Sequence, residues 1–280
     1  MRNEVNLQYL IYNGKIYPTT EINFLNETAK PSIYEVIRVI DGIPLYLEEH
    51  LNRLRKSAKL FNLIISRTDR ELTEEVMKLI EINRSYNLNI KILCYGRGTE
   101  IEDIYVYFID SFYPTKAMYR EGIHTIFYKT EREHPNAKTS NYKLRERINQ
   151  SLRERNAYEA LLINDEGYIT EGSRSNVFFI KKEKLFTPPS NKVLLGITRT
   201  KIIELCKLHN IDVIEKEISI DSLEQYEGAF ITGTSVNVLP IRNMDNIQLN
   251  SSKNDIIIKV MDIYKRDKKD YILKKKNYCK

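Results

Sequence analysis

Four short polar segments in the second half of this 280-residue chain hold the residues whose types and spacing could do chemistry. Lys138 lies in Asn136-Ala137-Lys138-Thr139-Ser140-Asn141-Tyr142. Alone it reads as a surface lysine before a helix, with Ser140 a candidate N-cap. An amine in that place can also attack a carbonyl carbon and form a Schiff base. Glu171 lies in Ile169-Thr170-Glu171-Gly172-Ser173-Arg174-Ser175-Asn176, ahead of the apolar run Val177-Phe178-Phe179-Ile180. That segment reads as a polar turn between strands, or as a loop whose N–H groups and Ser173 hydroxyl bind an anion while Glu171 faces a cationic ring nitrogen. Gly196-Ile197-Thr198-Arg199 opens an apolar-periodic helix. A helix N-terminus offers N–H donors and a positive dipole end to a phosphate; ordinary capping by Thr198 is the plainer reading. Ile231-Thr232-Gly233-Thr234-Ser235 ends a strand in small hydroxyl residues, which again suit an anion.

The elements that must position these segments follow from the apolar pattern. Two hairpins open the chain, one around Asn13-Gly14 and one around Asp41-Gly42. Helices are expected over residues 48–61, with Leu51, Leu54, Ala58 and Phe61 on one face, and 68–86, where Thr68 and Glu71 form a capping-box signature. Strands over 90–95 and 104–109 complete an N-terminal domain, residues 1–112. Residues 113–121, with Pro114 and Tyr119, read as a linker. Residues 122–280 form a larger domain that carries Lys138. Its expected strands are 123–128, 160–163, 176–181, 212–215 and 229–232, and its expected helices 141–156, 199–210 and 254–267. The fold class is α/β (α+β).

Composition narrows the function classes. Apolar residues are 42% and the net charge is +6, which fits a soluble globular protein. Much of the positive excess lies in residues 265–280. It reads as a solvated face; a nucleic-acid surface would need stacking aromatics and a recognised motif, and only Tyr264, Tyr271 and Tyr278 lie nearby. The three cysteines and four histidines give no disulfide framework and no metal-ligand spacing. No apolar run reaches a membrane span and the N-terminus lacks a signal-peptide pattern, so a cytoplasmic protein without membrane or nucleic-acid partners is expected.

An amine nucleophile, a carboxylate and two phosphate-suited turns are together what pyridoxal 5′-phosphate (PLP) requires of a protein. The order K-x-x-N-Y, T-E-G-x-x-S-N, L-x-G-I-T-R and G-T-S, with Tyr158-Glu159-Ala160 between the first two, resembles the class IV, or fold-type IV, aminotransferases. The resemblance runs from about Tyr9 to Ile241. It implies a two-domain homodimer with PLP at the domain interface. It makes Lys138 the Schiff-base lysine and proton shuttle, and Glu171 the carboxylate on the pyridine nitrogen. Tyr142 would contact the phenolic oxygen, and Leu194 would pack on the ring. Arg53, Ile197, Thr198 and Thr234 would hold the phosphate, with Ser173 and Asn176 in the cofactor loop. Tyr34, Arg97 and Ser235 are the substrate-binding candidates; Tyr34 and Arg97-Gly98-Thr99 lean toward the D-amino-acid type, Tyr142 toward the branched-chain type.

The resemblance implies amino transfer between an amino acid and a 2-oxo acid. Aminodeoxychorismate lyases share the lysine and the glutamate, so a lyase that releases pyruvate is an alternative, and a non-catalytic PLP-binding relative is another. The chain departs from the family at Asn26-Glu27-Thr28-Ala29-Lys30-Pro31-Ser32, where the usual arginine–glycine pair and Gly-Asp-Gly segment are absent, and at Val236, where branched-chain members carry a small alanine.

Overall fold

The computed structural model describes residues 5–21, 32–97, 100–132 and 134–278. The segment that departs from the family up to Pro31 and the Gly98-Thr99 pair lie outside them. The chain divides into two compact units. The first comprises Met1–Phe112, Ala137–Tyr142 and Asp270–Lys280; the second comprises Tyr113–Asn136 and Lys143–Lys269.

The first unit runs β1 (Val5–Tyr12), β2 (Lys15–Pro18), β3 (Ser32–Ile40), β4 (Ile43–Pro44), α1 (Leu47–Leu60), β5 (Ile64–Ile65), α2 (Asp69–Asn83), β6 (Asn89–Arg97) and β7 (Glu100–Ile109). The strands form one sheet in the order β2-β1-β7-β6-β3-β4, with β5 added parallel to β7. Both expected hairpins form, one through Asn13-Gly14 and the other through Asp41-Gly42. The capping box on α2 is present: Thr68 Oγ1 accepts from the Glu71 N–H, and Glu71 accepts from the Thr68 N–H at 2.7 Å. Apolar faces of α1, α2 and the sheet enclose a core that includes Leu51, Leu54, Val76, Leu79, Ile92 and Val106.

Ala137–Tyr142 belongs to this unit because it pairs with β3. The Tyr34 N–H donates to the Lys138 carbonyl at 3.0 Å, the Ser140 N–H to the Ser32 carbonyl at 3.1 Å, and Ile33 bridges Thr139. The expectation of a lysine borne by residues 122–280 is corrected here. The pairing spans about a hundred positions, so local pattern could not carry it. The basic tail is also engaged: Lys275 pairs with Glu48, Lys276 with Asp41 at 3.0 Å, and Tyr271 donates to Glu48 at 3.1 Å.

The second unit runs α3 (Lys116–Glu121), β8 (Ile123–Lys129), α4 (Tyr142–Glu154, its first residue counted with the first unit), β9 (Glu159–Ile163), β10 (Tyr168–Gly172), β11 (Asn176–Lys181), β12 (Lys184–Thr187), α5 (Ile197–Leu208), β13 (Val213–Glu215), β14 (Ile218–Ser219), β15 (Gly228–Gly233), β16 (Asn237–Met244), β17 (Ile247–Gln248) and α6 (Asp255–Tyr278), whose residues up to Lys269 belong to it and whose last residues belong to the first unit. Its sheet has the order β13-β12-β11-β15-β16-β8-β9-β10-β14, with β17 on β16. Pairs β12/β13, β8/β9 and β8/β16 are parallel. The segment 113–121, expected as a linker, contains α3 and belongs to this unit. Residues 169–172, expected in a loop, are strand β10. Strand β16 is also additional to the expectation; Pro240, which cannot donate to a ladder, interrupts its strand signature, yet it pairs with Phe230 inside the sheet. No helix among the described residues is long and apolar enough to cross a membrane.

Candidate active site

In the first unit the polar candidates collect where α1 and the Lys138 strip meet β3. His50, Arg53 and Ser57 recur along one face of α1 and are buried among its apolar residues. Ser57 Oγ accepts from the Lys138 N–H at 3.2 Å, so with the β3 pairing the lysine backbone is held on two sides. Lys138 Nζ stands 4.8 Å from the centroid of the Tyr34 ring. The buried Lys91 approaches the same ring at 5.1 Å; sequence reasoning missed it, although a lysine inside the apolar strand β6 was a visible signal.

Glu35, next to Tyr34, is completely buried. It accepts from Arg53 Nε at 2.7 Å, from Arg53 Nη2 at 2.6 Å and from His50 Nδ1 at 2.7 Å. Burial pushes its carboxyl up, but the Arg53 charge and the bonds from Arg53 and His50 outweigh burial and bring it down to about 2. Burial holds His50 below its ordinary value against the pull of Glu35, and the charges of Arg53 and Lys138 add to that. The imidazole is therefore neutral, with its proton on the nitrogen that faces the carboxylate. Arg53, expected at a phosphate, has its Nε–Nη2 edge engaged by Glu35.

In the second unit Glu171 projects from β10 and is buried. Arg132 Nε lies 3.0 Å from its Oε1, and the Leu194 N–H donates to Oε2 at 3.2 Å. Asn176 donates from Nδ2 to the Leu194 carbonyl at 2.8 Å and so fixes the turn into α5. A Cβ on Gly196 would stand 2.1 Å from Asn176 Oδ1, so the close approach requires glycine. Gly196 is also the N-cap of α5, and among the described residues no side chain caps that end. Thr198 is buried inside the first turn, and the reading of it as the cap is corrected. Arg199 is buried as well: it reaches the Pro188 carbonyl at 3.1 Å and Glu215 at 3.3 Å. Burial lowers its affinity for the proton, opposed by Glu215 and Glu171.

The reading of the Ser173 hydroxyl as an anion donor is also corrected. Ser173 Oγ donates to the buried Glu159 at 2.6 Å and accepts from Arg145 Nη1 at 3.2 Å. Glu159 further accepts from Ser175 Oγ at 3.0 Å and from the N–H groups of Ala160 and Arg174 at 2.9 and 3.3 Å. The Ser173 carbonyl takes Arg145 Nη2 at 2.9 Å and Arg132 Nη2 at 3.3 Å. Glu159, Arg132 and Arg145 carry this network and were absent from the sequence candidates. A carboxylate flush with the apolar run 160–163 was the signal for Glu159; nothing local marked the arginines.

Thr234 and Ser235 sit half-buried in the turn that joins β15 to β16, closed by the Gly233/Asn237 pair. Tyr142 is the first residue of α4 and is half-buried. Arg97 ends β6 opposite Glu100.

Comparison with known proteins decides the family. The class IV amino-transferase family model matches residues 32–244. The chain belongs to that family. It is a class IV aminotransferase. It is 30% identical over 259 residues to a D-alanine aminotransferase of Bacillus licheniformis, covering 86% of this chain and 90% of that one. It is 28% identical to the branched-chain-amino-acid aminotransferase of Salmonella typhimurium, over 88% of this chain and 87% of the relative. Its fold is similar to the crystal structure of the Escherichia coli branched-chain amino acid aminotransferase, with TM-score 0.81 and 26% identity over 91% of this chain and 92% of that one.

Proposed function

We propose that this aminotransferase uses PLP to move an amino group between an amino acid and a 2-oxo acid, with Lys138 as the point of attachment. The observation that carries this reading is Lys138 itself, its backbone held by β3 and Ser57 while its amine lies against Tyr34. Among the described residues, two buried polar atoms without a hydrogen-bond partner suit the phosphate: Thr232 Oγ1 beside the Thr234 turn, and Arg199 Nε in the first turn of α5.

Bound PLP supplies an electron sink for the electrons released when the substrate Cα–H bond breaks. Lys138 Nζ would hold the cofactor at its carbonyl carbon and would move the proton at the substrate Cα. Glu171, paired with Arg132, would face the ring nitrogen and hold its proton. Arg53, the N–H groups of Ile197 and Thr198, and Thr234 would be the groups that hold the phosphate. Leu194 would pack on the ring, and Asn176 sets the turn that carries Leu194. Tyr142 would take the phenolic oxygen, while Tyr34, Arg97 and Ser235 would hold the substrate. Ser173 acts inside the protein, through Glu159 and the two arginines.

The test is a panel of L- and D-amino acids with 2-oxoglutarate, and a separate assay with aminodeoxychorismate. Transfer to 2-oxoglutarate supports the reading; pyruvate release from aminodeoxychorismate without transfer replaces it with the lyase. We read the enzyme as a homodimer, so light scattering is expected to give twice the 33.1 kDa chain mass; a monomer at working concentration overturns that reading.

A further inference from the structure

The turn that carries Thr234 and Ser235 is held by a hydrogen-bond chain of three side chains from three different elements. Tyr119, on α3, donates from its hydroxyl to the Val236 carbonyl at 3.0 Å. Asn237, the first residue of β16, donates from Nδ2 to the Tyr119 hydroxyl at 3.0 Å. Lys268, on α6, donates from Nζ to Asn237 Oδ1 at 2.6 Å. Asn237 is in the left-handed region, at φ 54°, where asparagine is tolerated better than most residues.

The chain has a fixed direction. An ammonium has only donors, so the carboxamide atom it meets is the oxygen. The amide nitrogen then faces Tyr119, and the single hydroxyl proton of Tyr119 goes to the Val236 carbonyl. Each bond polarises the next. The turn is thus fixed at Val236 and Asn237, directly after Thr234 and Ser235. Lys268 Nζ also lies over the Tyr264 ring, 5.4 Å from its centroid, and Tyr119 packs against the core of the second unit.

We propose that Tyr119, Asn237 and Lys268 are positioning residues that fix the Thr234–Ser235 turn for the phosphate of the cofactor. This rests on the reading of Thr234 as a phosphate contact.

Two variants separate positioning from a structural role. Tyr119→Phe removes the hydroxyl without adding charge. Asn237→Asp keeps size and backbone preference and gives Lys268 an ion pair, but a carboxylate cannot donate to Tyr119, whose proton then turns to it and leaves the Val236 carbonyl. The readouts are dissociation constants of full-length apoprotein for PLP and for pyridoxal, which lacks the phosphate, by absorbance titration, together with thermal melts. Both variants are expected to weaken PLP about tenfold, the scale of one or two hydrogen bonds, to leave pyridoxal within about twofold, and to melt near the parent. Equal weakening of both ligands, or weakening of neither, overturns the proposal. Thr234→Val is the reference. If it selectively weakens PLP and Tyr119→Phe does not, the positioning role alone falls. If Thr234→Val also fails to distinguish PLP from pyridoxal, the phosphate reading of the turn falls with it.

Discussion

A buried carboxylate must be compensated before it can hold a charge elsewhere, and Glu171 meets that condition through Arg132 and the Leu194 N–H. Glu171→Gln keeps the shape and removes the charge. In the proposed role the loss is a charge-assisted hydrogen bond worth about 1.5–3 kcal/mol, so turnover is expected to fall roughly 10- to 150-fold while PLP still binds. A rate equal to the parent's removes Glu171 from the ring nitrogen. Glu35 behaves differently, because it faces Arg53 and His50 inside the first unit. Its carboxyl titrates near 2 when folded against 4.5 when unfolded. A value depressed by folding means that the stabilisation is complete above about 4.5 and is lost as pH falls toward 2. The shift corresponds to stabilisation on the order of 3 kcal/mol at neutral pH. Glu35→Gln is expected to lower urea stability by about that much at neutral pH, and the gap to the parent is expected to close across that acid window. A gap that stays constant with pH contradicts the ion-pair account of Glu35.

At the scale of elements, the turn into α5 shows what local pattern could and could not reveal. Gly196-Ile197-Thr198-Arg199 was legible as a helix start, because small and hydroxyl residues precede an apolar-periodic run. The reason for the glycine was not, since Asn176 reaches it from β11. Gly196→Ala is expected to cost about 1–3 kcal/mol through overpacking against Asn176, measured by thermal unfolding, and to weaken PLP binding because Leu194 and the α5 N-terminus move together. An unchanged melting temperature contradicts the steric argument. Helix α1 gives a similar contrast. Its apolar face was legible, but Leu51, Leu54 and Ala58 share that face with buried His50, Arg53 and Ser57, whose partners Glu35 and Lys138 are remote in sequence. Strand β16 was obscured by Pro240.

Across the whole molecule, the four chemical segments were legible because polar residues interrupt apolar runs there. Their division between compact units was not. Lys138 clusters with the N-terminal unit through backbone pairing to β3, whereas Glu171, Leu194, Thr198 and Thr234 lie in the other unit. Backbone pairing of that range leaves no trace in composition or period. The central claim is that Lys138 is the residue to which PLP attaches. Borohydride reduction of PLP-loaded enzyme, followed by digestion and mass mapping, tests it most directly. A pyridoxyl mass on the peptide that contains Lys138, absent from Lys138→Ala, is the result expected; a label on another lysine, or no label on protein saturated with PLP, would contradict it.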